Sequence, residues 1–438
     1  MEKNLLRNFT KYVSLNILGM IGLSLYILAD TFFVSKALGS TGIAALNLSI
    51  SIYSVIHGTG LMIGIGGATR FSILKSQKED IKANVVFSSA IKIGVIIGVI
   101  FAAFGLFGAK NLALALGADS STFQLTKTYL TTILAFAPFF IANNVVIAFV
   151  RNDNNPNLSM LAMLVGSFSN IVLDYVFMFP LDMGMFGAAF ATGLAPVISI
   201  GILSLHFINK KNTFTFLKEK QQGSFIPDIF RLGLSAFIIE ISSAVVLITF
   251  NLAILRIEGN LGVAAYGIVA NLALVAIAVF TGLAQGIQPL ISKYYGMGKN
   301  IMTRTVYKYA LLTSIVIASI IYVGVLIYSD SIIYIFNSEN NLDIARIADT
   351  GLKIYFTGFF FVGINIVTAM YLSATENALD AFFITIARGL VIIVPLVLIL
   401  SRMFDMNGVW YAFVITELLV SVLAIFLTKK RRKVIVNM

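Results

Sequence analysis

The chain has 438 residues, of which 58% are hydrophobic and 12% are charged, and its mean hydropathy is +0.93. Because a soluble domain carries about 25% charged residues, this composition excludes an ordinary soluble protein and predicts an integral membrane protein. The chain has no cysteine and only two histidines, His57 and His206, which excludes a disulfide framework and thiolate metal sites and argues against a histidine metal centre.

The apolar segments have the length of membrane helices and lack the short alternating pattern of an outer-membrane barrel. The first of them follows the basic start MEKNLLRNFTKYV and is not closed by a small-residue cleavage site, so it is predicted to be a spanning helix rather than a cleaved signal peptide. The predicted fold is therefore an all-α integral membrane protein with twelve transmembrane helices. In chain order, the predicted spans are 12–34, 46–72, 91–116, 128–149, 157–179, 186–208, 231–255, 264–291, 306–328, 352–372, 382–401 and 409–427.

The basic residues lie mostly on one side of the predicted membrane. Such a bias places the basic segments and both chain termini in the cytoplasm and indicates a bacterial cytoplasmic membrane. The net charge of +11 is thus a topology signal, so no nucleic-acid partner is expected, and the basic C-terminal tail is expected to touch anionic lipid headgroups. The outer segments keep seven of the 31 lysines and arginines: Lys36, Lys110, Lys127, Arg256, Arg346, Lys353 and Arg402.

Three pairs of matching segments, all at nearly the same offset, show that the second half of the chain repeats the first. The matches are GIAALNLSI at 42–50 with GVAAYGIVA at 262–270, TGLMIGI at 59–65 with TGLAQGI at 281–287, and FFIANNVVIA at 139–148 with FFVGINIVTA at 360–369.

Each half carries six spans, so both copies enter the membrane from the same side. This predicts two six-helix lobes related by a pseudo-twofold axis along the membrane normal, an architecture found in transporters. We predict a first lobe at 1–208, a cytoplasmic linker at 209–229, and a second lobe at 230–438 that ends in the basic tail.

Four acidic residues, Asp30, Asp174, Glu240 and Glu417, lie inside otherwise apolar spans. A carboxylate at the centre of a membrane helix costs roughly 2.5–3.5 kcal/mol on insertion scales, and such residues usually mark an ion or substrate path. The alternative is a protonated carboxyl that only bonds a neighbouring helix.

Four polar residues of the first half are predicted to lie at similar depth. Asp30 is in span 1, Asn170 and Asp174 share one face of span 5 at i, i+4 spacing, and Thr192 is in span 6. Carboxylate, amide and hydroxyl oxygens suit Na⁺, and two close carboxylates can also share a proton. The sequence leaves two possibilities, a cation site that uses H⁺ or Na⁺ and a hydrogen-bond network that only joins helices.

The second half offers candidates for a substrate cavity. Glu240 in span 7 and Glu417 in span 12 fall near mid-membrane, where a carboxylate can attract a lipophilic cation. The alternative for both is a protonated glutamate bonded to Asn251, Asn365 or Thr416. Tyr26 and Asn144, in spans 1 and 4, are further cavity candidates.

Four stretches of the chain carry a family resemblance: LYILADTFFVSKALGSTGIAAL at 25–46, SNIVLDYVF at 169–177, GMFGAAFATGLA at 184–195 and AYGIVANLALVAIAVFTGLAQGIQPLISKYYGMGKN at 265–300. They resemble the multidrug and toxic compound extrusion (MATE) family, and the resemblance extends over essentially the whole sequence. It implies two lobes around a central cavity and export of organic, often cationic, compounds driven by inward Na⁺ or H⁺. In family members whose cation site lies in the first lobe, the site residues match Asp30, Asn170, Asp174 and Thr192.

Two departures from the family pattern limit what the resemblance implies. Some members bind the cation at an aspartate of helix 10, whereas the predicted span at 352–372 contains no acid. Some relatives carry a proline in helix 1 that is proposed to gate release, whereas the predicted span at 12–34 has none.

The sequence therefore predicts a monomeric secondary active exporter of small organic, often cationic, drug-like compounds, with H⁺ or Na⁺ as coupling ion and no other cofactor or metal. A flippase for lipid-linked oligosaccharide precursors is the first alternative, and it would require cationic side chains in the cavity. Arg388, near the start of span 11, is the main candidate for such a side chain. A passive channel is the second alternative, and a membrane enzyme is disfavoured because no catalytic set of residues is present.

Overall fold

In this computed structural model we describe residues 2–217, 225–337 and 341–436, within which every regular element is a helix. A short 3₁₀ turn at Phe356–Gly358 precedes α11, and a π-helical turn at Ala387–Val391 follows α12. The helices are α1 (Glu2–Ser76), α2 (Asp80–Ala115), α3 (Phe123–Ala135), α4 (Ala137–Asn152), α5 (Pro156–Met178), α6 (Gly184–Leu203), α7 (Leu205–Ile208), α8 (Ile226–Gly296), α9 (Asn300–Phe336), α10 (Leu342–Tyr355), α11 (Phe359–Ala374), α12 (Ala378–Ile386) and α13 (Ile393–Val436).

Twelve spans result once the breaks within the long helices are counted. Eight helical runs of the described residues are long and apolar enough to cross a membrane, and the pair α3 and α4, bent by 48°, forms a ninth. Three of the runs are two helices joined at a break in the helical backbone, at Gly39 in α1, at Gly259 in α8 and at Phe404–Asp405 in α13. The prediction of twelve spans is therefore confirmed.

The first two spans form a hairpin that turns at Gly39. Its φ of 62° lies in the region that glycine adopts without steric cost. The hydroxyls of Tyr26 and Tyr53, one on each arm of α1, are 2.7 Å apart, which shows that the two arms run side by side. Gly259 has nearly the same backbone angles, so the second half repeats this turn.

The helices extend beyond several predicted spans. α2 begins at Asp80, whereas its span was predicted at 91–116, and α9 begins at Asn300, whereas its span was predicted at 306–328. The additional turns carry charged and polar residues, so the hydrophobic signal detects only the membrane-embedded part of each helix.

Each lobe has its own apolar core. One core consists mainly of first-half residues around Phe71, Phe149 and Ile141, and another of second-half residues around Phe280, Phe359 and Trp410. A third, smaller cluster packs the start of α1 against the end of α8, and it joins the two lobes.

Part of the predicted linker packs onto the first lobe. Phe214 is fully buried within the aromatic cluster of that lobe. The Thr213 N–H donates to Asp153 Oδ2 at 2.8 Å, and the Thr213 hydroxyl also bonds this carboxylate. Residues 209–217 are thus held by the first lobe, whereas 218–224 lie outside the described residues.

The two lobes meet through close glycine contacts near the side of the membrane where α1 begins and α13 ends, which we call the basic side. A Cβ atom at Gly66 would lie 1.9 Å from the Ile229 carbonyl oxygen, and one at Gly233 would lie 1.8 Å from the Met62 carbonyl oxygen. Only glycine permits such a close approach of two backbones. The glycine-rich segments are therefore helix-packing surfaces.

Buried polar residues join the lobes on the same side. Gln288 of α8 donates to Thr69 at 3.0 Å and accepts from Asn152 at 2.9 Å. In the described residues, the hydrogen bonds, ion pairs and close glycine contacts between the lobes lie from mid-membrane to the basic side. We call the following eight residues the polar belt: Asn16, Thr69, Ser72, Arg151, Asn152, Gln285, Gln288 and Ser292.

Candidate functional site

The two acids of the first lobe come together in its interior. Asp30 lies on the first arm of α1, and Asp174 lies on α5, whose N-terminus is capped by the side chain of Asn155. Asp174 is fully buried and Asp30 is 6% exposed. Because α5 packs against both α1 and α6, each carboxylate lies within electrostatic reach of the other.

Asn170 connects Asp174 to α6. When its amide NH₂ faces the carboxylate, it donates to Asp174 Oδ2 at 3.1 Å, and its carbonyl oxygen accepts from the Thr192 N–H at 3.2 Å. We adopt this orientation because the opposite one would place the amide oxygen against the carboxylate. The structure thus places Asn170, Asp174 and Thr192 in contact, and Asp30 faces the same group.

Two oxygens of this site lack hydrogen-bond partners in the described residues, namely Asp30 Oδ1 and Asp174 Oδ1. A buried carboxylate oxygen without a donor is costly, since burial removes its water. The cost is relieved if the oxygen carries a proton or binds a cation. This oxygen-rich group can accommodate either a proton or a cation. In a network that only joins helices, each carboxylate oxygen would be expected to have a hydrogen-bond donor.

Tyr129 belongs to the same group, and the sequence reasoning missed it. Its buried phenol on α3 lies beside Thr192 and within electrostatic reach of Asp30 and Asp174. A hydroxyl at this position can donate to a carboxylate oxygen. The predicted span at 128–149 begins only one residue before Tyr129, so the sequence put this residue at the membrane edge and gave no signal for it, whereas α3 in the structure already begins at Phe123.

Two of the cavity candidates lie in a polar cluster of the first lobe. Tyr26 bonds Tyr53 through their hydroxyls, and Asn144 Nδ2 lies 3.2 Å from His57 Nδ1. The rings of Tyr53 and His57 stack with centroids 5.7 Å apart. Tyr26 and Asn144 are therefore connected through neighbouring rings of the second arm of α1.

Glu240 lies where the two lobes meet near mid-membrane. A Cβ atom at Gly58 would be 3.1 Å from Glu240 Cβ, so the glutamate lies directly against the second arm of α1. The side chain is half-buried, and its carboxylate acts electrostatically on the Tyr53 phenol. Among the candidates of the second half, Glu240 is thus placed at the lobe interface.

Glu417 does not fit the prediction of a cavity carboxylate. Both of its oxygens are bonded inside the second lobe, Oε1 by Arg388 Nε at 2.6 Å and Oε2 by Asn365 Nδ2 at 2.7 Å. The side chain is 2% exposed, so it offers no free oxygen to a substrate. The alternative interpretation, a glutamate bonded to Asn365, is closer to the structure, although its partner Arg388 was not anticipated.

We expect the Arg388–Glu417 pair to stabilise the second lobe. Glu417→Gln leaves a buried guanidinium without its carboxylate, and breaking such a pair typically costs about 3–5 kcal/mol. The measurement is thermal unfolding of the purified protein in detergent, where the variant is expected to melt earlier.

The double variant Arg388→Met, Glu417→Met serves as the control, because it removes both charges and retains apolar volume. Its loss of stability is expected to be smaller than the sum of the losses in the single variants Arg388→Met and Glu417→Met. Simple additivity of the single effects would show that the two side chains do not act as a pair.

Comparison with known proteins identifies the family. The MatE family model matches residues 16–176 and 236–399. The multidrug export protein MepA of Staphylococcus saprophyticus is 29% identical over 93% of this chain and 90% of its own length. MepA of Staphylococcus aureus strain MSSA476 is 27% identical over 92% of this chain and 89% of its own length.

Solved structures show the same fold. An outward-facing multidrug resistance MATE family transporter of the MOP superfamily aligns with a TM-score of 0.93 at 23% identity, covering 98% of this chain and 96% of its own. MATE in complex with MaL6 aligns with a TM-score of 0.93 at 22% identity, covering 98% and 97%. The predicted fold class is thereby confirmed, and the chain belongs to the MATE family of membrane transport proteins.

Proposed function

We propose that the chain is a secondary active multidrug exporter that exchanges small organic, often cationic, compounds for H⁺ or Na⁺. The observation that carries this proposal is the pair Asp30 and Asp174, buried in an apolar lobe with one unbonded oxygen on each carboxylate. The names of the Staphylococcus relatives, which match almost the whole chain, support the substrate class.

The coupling mechanism follows from the position of this pair. A cation drives export only if its affinity differs between the two states of the lobes. In this structure the lobes are in contact on the basic side, so the transporter is closed on that side. The cation site described above therefore belongs to the conformation that opens on the opposite side. If the basic side is cytoplasmic, entry of a cation is favoured by about 2.3 kcal/mol per charge for each 100 mV of membrane potential.

The location and assembly in this proposal rest on charge and architecture. The basic bias supports a location in the bacterial cytoplasmic membrane with both termini in the cytoplasm. Each lobe has its own core and the two meet within one chain, so a monomer suffices for alternating access.

The decisive experiment is ethidium efflux from purified protein in liposomes, with Na⁺ and pH gradients imposed separately. An exporter of this type accelerates efflux when one gradient is applied, and collapse of that gradient stops the acceleration. Efflux that ignores both gradients would contradict antiport, and a flux that equilibrates rather than accumulates would favour the passive channel.

A flippase for lipid-linked oligosaccharide precursors is less well supported by the side chains. Such a cavity requires cations for a pyrophosphate, and the candidate Arg388 is bound by Glu417. Scrambling of a labelled lipid pyrophosphate by the same liposomes, with no ethidium efflux, would reverse this preference.

Glu240→Gln is expected to reduce export of cationic compounds more than export of neutral ones. The carboxylate lies at the lobe interface, where low dielectric strengthens its attraction for a cation. The measurement is resistance of cells to matched cationic and neutral compounds, with the exposed Glu79→Gln as control. An equal loss for both classes would assign Glu240 a structural role.

A further inference from the structure

Arg151 is a buried cation at the contact between the two lobes. It lies near the end of α4 on the basic side, and its side chain is 1% exposed. Its Nη1 donates to Asn16 Oδ1 of α1 at 2.6 Å and to Gln285 Oε1 of α8 at 2.9 Å. One guanidinium thus contacts both lobes within the polar belt.

Both of these partners are neutral amides. In the described residues no carboxylate lies within ion-pair distance of Arg151, and its Nε has no hydrogen-bond partner. Asp153, two residues further along the chain, is also buried, and its carboxylate binds His206 and Thr213. Arg151 is therefore the only formally charged member of the polar belt, and it forms no ion pair with any carboxylate of the described residues.

Apart from the buried Asp153, the charged residues next to this contact lie at its rim. Arg70 is paired with Asp228 at 3.1 Å and with Glu376 at 2.5 Å, and all three side chains are partly exposed. Water screens these charges far more than it screens a buried guanidinium. Among the eight residues of the polar belt, Arg151 therefore supplies the one formal charge, and the nearby buried carboxylate of Asp153 is already bonded to His206 and Thr213.

A buried charge without a counter-ion is unfavourable for packing, because its desolvation is not repaid by an ion pair. Packing the lobes together would be served as well by a neutral side chain of similar size. The charge itself therefore requires a functional explanation. The position of Arg151 on the closed side of the lobe interface suggests that the explanation concerns the passage of ions.

We propose that Arg151 is an electrostatic barrier that stops cations from leaking through the closed side of the lobe interface. The inference rests on the proposed antiport, since an exporter driven by a cation gradient loses that gradient through any uncoupled cation path. A fixed positive charge in a narrow, water-poor contact repels H⁺ and Na⁺ and leaves anions unopposed, as in channels where an arginine excludes cations.

The test measures leak, not transport. Purified protein in liposomes receives no substrate, a membrane potential is imposed, and entry of H⁺ and Na⁺ is followed with fluorescent indicators. Arg151→Gln is expected to raise cation entry about tenfold, because it removes one unit charge that repels the passing cation in a low-dielectric contact. Arg151→Lys retains the charge and is expected to stay near the wild-type rate.

Asn16→Asp provides a second variant that leaves Arg151 in place. It puts a carboxylate at the partner of Nη1, neutralises the belt and is expected to raise cation entry as Arg151→Gln does. If Arg151→Gln fails to insert stably, Asn16→Asp still tests whether the charge of the belt limits cation entry. Gln288→Met removes belt hydrogen bonds without a change of charge, and its leak is expected to remain low.

Three results would overturn the proposal. These are wild-type cation entry in both Arg151→Gln and Asn16→Asp, an equal rise in chloride entry, and a leak of the same size in Gln288→Met. An equal chloride rise or a leaky Gln288→Met would show a loss of packing rather than of charge. Because no substrate or gradient coupling is involved, failure of antiport and failure of the barrier give different results.

Discussion

Replacing Asp30 or Asp174 by asparagine is expected to abolish gradient-driven efflux while leaving expression and folding intact. Asparagine keeps the size of the side chain but can neither bind a proton at physiological pH nor offer a carboxylate to Na⁺. Each carboxylate has one unbonded oxygen in the buried site, so the change removes the group that responds to the gradient. The rest of the site stays in place.

The measurement is ethidium efflux from cells or inverted vesicles under an imposed gradient. Asp182→Asn is the matched control, because Asp182 is exposed and its left-handed φ of 48° suits asparagine. Wild-type efflux rates in both Asp30→Asn and Asp174→Asn would rule out a coupling role. Thr192→Ala is expected to reduce efflux less, since a neutral oxygen binds a cation more weakly than a charged one.

Gly66→Ala and Gly233→Ala are expected to stop transport by a different route. Each adds one methyl group that would lie within 2 Å of a backbone oxygen of the other lobe. Overpacking of this kind costs typically about 1–3 kcal/mol, and here the lobes can avoid it only by moving apart on the basic side. The population therefore shifts away from the state described above, and the cycle stalls.

The absence of native cysteine allows this shift to be measured directly. Ser292 is fully buried in the polar belt, so Ser292→Cys is expected to react slowly with a maleimide in the parent protein and faster when Gly66→Ala is added. Gly267→Ala is the control, because its added methyl group would meet no atom within 4 Å. Unchanged labelling with full activity in Gly66→Ala would show that the lobes close elsewhere.

The sequence predicted the fold well because membrane burial leaves a strong and simple signal. Long apolar runs, the bias of basic residues and the internal repeat each report a global constraint, and none depends on a particular side-chain contact. The same reasoning missed the length of α2, since its first turns beyond Asp80 lie outside the apolar core of the membrane.

The site was predictable only where spacing on one helix mattered. Asn170 and Asp174 share a face of α5 by helical periodicity, which needs no tertiary structure. The partner of Glu417 was not predictable, because Arg388 lies within a π-helical turn that no sequence pattern indicates, and it approaches Glu417 from another part of the lobe. Arg151 was overlooked for a similar reason, as it stands at a span end and only packing of the two lobes buries it.

The tight turns at Gly39 and Gly259 leave two hairpins without an extended loop on the side of the membrane opposite the basic side. Since each hairpin reverses at a single glycine, neither supplies a strip of chain that could fold over the mouth of the cleft as a lid. Opening and closing there must come from tilting of whole helices. An added protease is expected to find few cleavable peptides at these two hairpins, and binders raised against them would have to recognise helix ends.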